Sequence, residues 1–182
     1  MPEHGALWLA YAGYLAWLTA GTLDFFCHRR TDLPHTSGLG ESSLHLLQLT
    51  LCGGAIVLGL LLRVDIALIV LLASLVAVHA VAGYLDTRQA YPLRPIRPFE
   101  QHVHSVLDMA PPVALGIFAA WHWPAPMQWA LQLRDPPLPW WLWTMVLLPA
   151  ALLCGLPWLW EFRDAWRVWR QRQRGAVEAG DA

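Results

Sequence analysis

Five long apolar runs, separated by short polar breaks, organise this 182-residue chain. They cover roughly residues 6–28, 42–62, 66–86, 101–121 and 140–161. Each approaches the ~20 residues an α-helix needs to cross a ~30 Å hydrocarbon core. So many runs in so short a chain leave too little polar sequence for a soluble globule with buried helices. The pattern predicts an all-α fold, an integral membrane bundle of five transmembrane helices with the first four antiparallel. Residues 1–162 would form a single membrane domain.

Composition agrees. The chain is 57% hydrophobic and 14% charged, with mean hydropathy +0.40. A soluble domain averages about 25% charged residues. The start "MPEHGALWLA" lacks the positive n-region of a cleaved signal peptide, so the first run is expected to stay as a span. Cys27, Cys52 and Cys154 are scattered, without a CxxC pair, which argues against a disulfide framework or a zinc ribbon.

Charge placement sets the expected topology. Lysine is absent, and all twelve basic residues are arginines. If the spans alternate, Arg29, Arg30, Arg88, Arg94, Arg97, Arg163, Arg167, Arg170, Arg172 and Arg174 share one side, against Arg63 and Arg134 on the other. The positive-inside rule then predicts the N-terminus outside and the C-terminus in the cytoplasm, which in a bacterium means the inner membrane. Net charge is −1 and no basic aromatic groove is visible, so nucleic acid is not an expected partner. In residues 163–182, Trp166 and Trp169 continue a helical stripe from Trp158 and Phe162, with arginines on another face. That predicts an amphipathic helix along the cytoplasmic interface, giving way past Gly175 to a disordered tail.

The ionisable residues inside the runs are the unusual feature, because such groups are costly in a membrane and mark function. The first run ends with Asp24 and His28, and the second begins with Glu41 and His45, with Gln48 a turn deeper. The third ends with His79 and Asp86, and the fourth begins with Glu100, His104 and Asp108. Spacings of four and seven put each set on one helical face. Alternating spans bring all four stripes to the cytoplasmic end of the bundle, within about 10–12 Å of the boundary at 1.5 Å per residue.

A layer of up to four imidazoles and five carboxylates would repel itself unless cations entered it. Mixed His and carboxylate donors suit iron, manganese or zinc rather than copper(I) or an iron–sulfur cluster. Nine donors exceed one tetrahedral zinc and suffice for two divalent ions, or three. Asp24, His28, Glu41, His45, His79, Asp86, Glu100, His104 and Asp108 are therefore the candidate ligands. His35, Gln48, Arg88, Tyr91 and His102 are candidates for a surrounding shell, His35 as a lid; His102 lies about 200° from the ligand face of its helix. Arg94 and Arg97 would balance leftover charge or enforce topology.

The architecture is similar to that of ferritin-like di-iron four-helix bundles, which place inward Glu and Glu-x-x-His on facing helices. Here the spacing is Glu-x-x-x-His and Asp-x-x-x-His, so there is no motif match. The His-x-x-His-His boxes of membrane desaturases are absent too. The run "EQHVHS", preceded by "HAVAGYLDTRQAY", resembles sequences of uncharacterised bacterial inner-membrane proteins. That resemblance covers roughly the first 120 residues and implies no activity.

The duller readings are specific. Glu41 sits where a helix cap belongs. Asp24 and Asp86 have Arg29, Arg30 and Arg88 within reach. Pro111 and Pro112 free the carbonyls of Leu107 and Asp108, and a kink is expected there. Gly53, Gly54 and Gly59 are expected to let helices approach closely.

The expected function is a di-iron oxidoreductase, oxygenase- or desaturase-like, acting on a lipid-soluble substrate. No flavin or nicotinamide motif is present, so electrons would come from a donor protein. With zinc the same site would activate water for hydrolysis. A metal transporter, store or sensor is a third class, weakened by the apolar stretches Val57–Leu62 and Val113–Ala120. Haem is disfavoured by the carboxylate density.

Overall fold

A computed structural model describes residues 2–123 and 128–180. Among these the protein is all α-helical, without strands. The helices are α1 (Pro2–Arg30), α2 (Gly38–Leu61), α3 (Ile66–Ala90), α4 (Pro98–His122), α5 (Trp140–Ala150) and α6 (Leu156–Gly180). A 3-10 turn (Leu33–His35) joins α1 to α2, and a π-helical turn (Ala151–Gly155) joins α5 to α6.

Four helices are long and apolar enough to cross a membrane: α2, α3, α4 and the continuous helix formed by α5, the π turn and α6. The first is not among them. Its apolar positions are interrupted by Tyr11, Tyr14, Thr19, Thr22 and three glycines, which lower its hydropathy. The helix of the last run continues unbroken past residue 161 as far as Gly180, so the amphipathic segment is its direct extension. It thus runs past Gly175, where the sequence suggested loss of structure; residues 181–182 lie outside the described residues.

The ends of the helices are tied by specific bonds. Asp65 caps α3, its Oδ1 accepting from the amide of Ala67 at 2.9 Å. Arg134 Nη2 donates to the carbonyls of Gly59 and Leu62 at 3.3 and 3.2 Å, closing the C-terminus of α2. Leu62 and Leu133 form a single bridge that fastens the segment after α4 to this turn. The Arg134 side chain therefore has structural work at this end, while the exposed Arg63 contributes its backbone amide, which donates to the Gln132 carbonyl at 2.9 Å.

Helix α5 docks on α1 through hydroxyl-to-carbonyl bonds, one of them to a carbonyl that its own backbone leaves free. Pro149 cannot donate to the carbonyl of Met145 four residues earlier. The Tyr11 hydroxyl does so instead, at 3.0 Å, and Tyr14 donates to Val146 at 2.7 Å. Thr22 donates to the carbonyl of Leu153 within the π turn at 2.7 Å. Such one-turn π insertions recur at functional sites. This one seats Cys154 against Gly21, where a Cβ would meet its sulfur at 2.8 Å.

Close approach is built on Gly21, Gly40 and Gly83, where a Cβ would meet the side chains of Cys154, Gln89 and Asp108. Gly53, Gly54 and Gly59 do not do this: a Cβ at any of them would meet nothing within 4 Å. Helix α4 remains helical through Pro111 and Pro112.

Candidate metal centre

The i,i+4 pairs converge. The last turns of α1 supply Asp24 and His28, the first turns of α2 supply Glu41 and His45, and the start of α4 supplies Glu100 and His104. All six are buried. Two sets have donor atoms mutually within 4.8 Å: Asp24, His28, Glu100 and His104, and His28, Glu41 and His45. His28 belongs to both.

The distances place imidazole nitrogens among carboxylate oxygens. His28 Nε2 lies 3.4 Å from Asp24, 3.7 Å from Glu41 and 3.8 Å from Glu100. His45 Nε2 lies 3.2 Å from Asp86 and 3.9 Å from Glu41. His104 Nε2 lies 2.9 Å from Asp24. The aspartates do not pair with Arg29, Arg30 or Arg88. Instead Arg29 and Arg30 are exposed and lie over the rings of Trp160 and Phe26.

A buried carboxylate that the sequence reading passed over completes the arrangement. Glu161, on α6, accepts from His28 Nδ1 at 2.9 Å and from His45 Nδ1 at 2.8 Å, one oxygen each. A carboxylate can only accept here, so each Nδ1 carries its proton. The opposite nitrogen, Nε2, faces the other carboxylates on each ring. A carboxylate behind an imidazole in this way fixes the orientation of metal-ligating histidines. The signal was available: Glu161 ends the fifth apolar run, at the level where the other runs carry their donors. Trp158, one turn earlier, donates its indole N–H to the Ser42 carbonyl at 3.0 Å and pins α6 to α2.

Arg94 closes the cluster from the α3–α4 connection. Its buried guanidinium pairs with both Glu41 and Glu100, and Nη1 also donates to Thr31 Oγ1 at 3.2 Å. Burial works against its charge, but the two carboxylates outweigh that and raise its pKa. Arg94 thus balances charge, whereas Arg88 and Arg97 are exposed.

Asp86, His79 and Asp108 lie beside the two donor sets rather than within them. Asp86 accepts from Gln48 Nε2 at 3.4 Å. With Asp24, His45, Gln48 and His104, these three line a cavity of about 230 Å³ whose other walls are mainly apolar, from Trp17, Leu18, Leu49, Ile56, Leu107 and Cys154. Gly83 admits Asp108, whose Oδ1 would lie 2.6 Å from any added Cβ.

The remaining shell candidates are elsewhere. The His35 side chain is 60% exposed and pairs with Asp32 at 2.8 Å, so it is no lid. His102 is exposed, its Nδ1 bonded to the Pro98 carbonyl at 2.8 Å, as its angle around the helix implied. Tyr91 is exposed.

Several buried polar atoms at this centre have no hydrogen-bond partner among the described residues: His28 Nε2, His45 Nε2, His104 Nδ1 and Asp86 Oδ1. Buried polar groups are otherwise almost always satisfied, so their concentration here is informative. The buried His, Asp and Glu groups can hold a metal ion. Compared with protein-family models, curated sequences and solved structures, the chain matches none.

Proposed function

We propose that this protein is a membrane metalloenzyme that holds two divalent ions and oxidises a lipid-soluble substrate. The observation that carries the reading is Glu161. One carboxylate holds two imidazoles by their Nδ1 atoms, and both Nε2 atoms face carboxylates without a partner. A helix cap or an ordinary ion pair needs no such device. In this reading Asp24, His28, Glu100 and His104 serve one ion. Glu41, His45 and Asp86 serve the other, with Asp24 and Glu41 near both.

Charge supports the number. Asp24, Glu41, Asp86, Glu100 and Glu161 carry five negative charges when ionised. Arg94 supplies one positive charge, and two divalent ions supply the other four. Iron is our preferred metal, with manganese and zinc also suited to these donors. Bound iron would supply the redox chemistry, with dioxygen as the oxidant: the substrate gives two electrons, a donor protein gives the other two, and both oxygen atoms are thereby fully reduced. The chain's residues orient the ions, and the apolar cavity walls exclude water from the reacting position.

We place the cluster at the cytoplasmic side of the inner membrane. Five antiparallel spans, including α1, would leave the N-terminus outside, in keeping with the ten-to-two arginine bias. A transport pathway is less well supported, since the cavity walls beyond the cluster are apolar. One observation favours zinc-dependent hydrolysis as a second reading. His79 and Asp108 reach the cavity outside both donor sets and could move protons for an activated water.

Elemental analysis of the purified full chain tests the first claim. About two ions per chain are expected from the donor set. Less than one per chain under metal-replete conditions would sink the reading. Zinc in place of iron would move it to hydrolysis.

A further inference from the structure

We infer that the cavity beside the cluster binds one acyl chain of a membrane lipid. Its carbonyl end would lie on the metal donors and its methyl end toward the middle of the bundle. This rests on the metalloenzyme reading above and narrows its substrate class.

The cavity is most polar at one end, with Gln48 and Asp108 about a turn deeper and His79 about two turns deeper along its wall. His45, Asp86 and His104 lie at that end, while Trp17, Leu49 and Ile56 form apolar walls. Along α2 the lining runs from His45 to Ile56, eleven residues, or about 16 Å at 1.5 Å per residue. It is therefore a slot rather than a shallow dish. An apolar cavity of about 150 Å³ holds a benzene ring, so by the same ratio 230 Å³ holds on the order of nine carbons. A chain fills a slot of that length and volume better than a fused ring system.

The direction follows from where the polar end sits. Its donors come from the last turns of α1 and the first turns of α2 and α4, so it lies at one end of the helices. The apolar walls lie toward mid-helix. A lipid in either leaflet has its carbonyl near the interface and its chain toward the midplane. Lipid and cavity therefore match in one orientation only. The reacting bond would be at or next to the carbonyl, not at the far end of the chain.

Gly53 keeps the slot open. It lines the wall, and a Cβ there would meet nothing within 4 Å, so a larger side chain would grow into the cavity space. It lies two turns from His45 and outside the donor sets.

The test uses the full chain in lipid nanodiscs, with two hexadecanoic acid probes. One carries a photoreactive diazirine beside the carboxyl group, the other at mid-chain. Peptide mapping should place the first adduct near His45 or Asp24 and the second near Gly53 or Ile56. Gly53→Trp should lose most of both adducts while retaining its metal content. Ile56→Trp, one turn further along the wall, is the second blocking variant. The reversed order of adducts overturns the inference, as does labelling that both tryptophans leave undiminished. No labelling of metal-loaded protein also overturns it, and leaves the metal reading standing. Ordered labelling of protein that takes up no metal instead sinks the metalloenzyme reading and keeps the chain site.

Discussion

His28 and His45 lie face to face, their rings parallel and their centroids 4.6 Å apart. They come from different helices, and nothing in their own turns requires this contact. Glu161 does, by accepting from both rings at once. The stack sets the two Nε2 atoms side by side, toward Asp24, Glu41, Glu100 and Asp86. On the reading proposed above, this relationship would let two ions share carboxylates.

Removing either ring should therefore remove an ion rather than merely loosen a helix. His28→Ala and His45→Ala are each expected to lower metal content sharply in elemental analysis of purified protein. His28→Ala should cost more, since His28 belongs to both donor sets. His35→Ala and His102→Ala act as controls, because both side chains are exposed and bonded locally. Unchanged metal content in both the His28 and the His45 variants would leave hydrogen bonding as the whole explanation of the cluster.

Glu161 separates holding an ion from orienting its ligands. Glu161→Gln keeps the size, but its amide nitrogen cannot accept an N–H, so one imidazole loses its partner. Loss of such an outer carboxylate typically weakens metal affinity by about 10–100-fold. Competition with a chelator measures this directly. A variant that fully retains its ions at wild-type affinity would show that Glu161 only fills space.

The sequence disclosed the donors and hid their support. Asp24, His28, Glu41, His45, Glu100 and His104 stand at i,i+4, and helical periodicity alone puts each pair on one face. Runs of apolar residues gave α2, α3 and α4 within a few residues. Glu161 was missed because its contribution depends on the phase of α6, and the π turn at Ala151–Gly155 resets that phase. No local pattern announces a π turn, although Pro149 just before it is a cue. From the sequence, Arg94 and Arg97 are equally placed to balance charge or to enforce topology. Only the folded connection between α3 and α4 singles out Arg94. The glycines misled for a related reason: spacing shows that a helix face is bare, not whether another helix or a cavity lies opposite.

Arg94 should matter most when metal is absent. Its guanidinium neutralises Glu41 and Glu100, and removing one partner of a buried ion pair costs roughly 3–5 kcal/mol. Arg94→Met is expected to lower the unfolding midpoint strongly in the presence of chelator. Adding metal should recover part of that loss, because the cations then supply the missing positive charge. An equal loss with and without metal would mean that Arg94 serves only the α3–α4 connection.

The seam between α1 and α5 offers a test that does not depend on metal. Met145 has lost its normal backbone donor to Pro149, and Tyr11 takes its place at 3.0 Å. Tyr11→Phe should therefore destabilise the protein by about 1 kcal/mol, the usual net value of one hydrogen bond. Pro149→Ala restores an N–H four residues after Met145. In that background the carbonyl has a second donor, and Tyr11→Phe should cost less. The four proteins form a double-mutant cycle, read from unfolding midpoints in a graded detergent titration. A positive coupling ties the proline to the tyrosine across two helices. Strict additivity would mean that the Met145 carbonyl is satisfied some other way and that Tyr11 contributes only its ring.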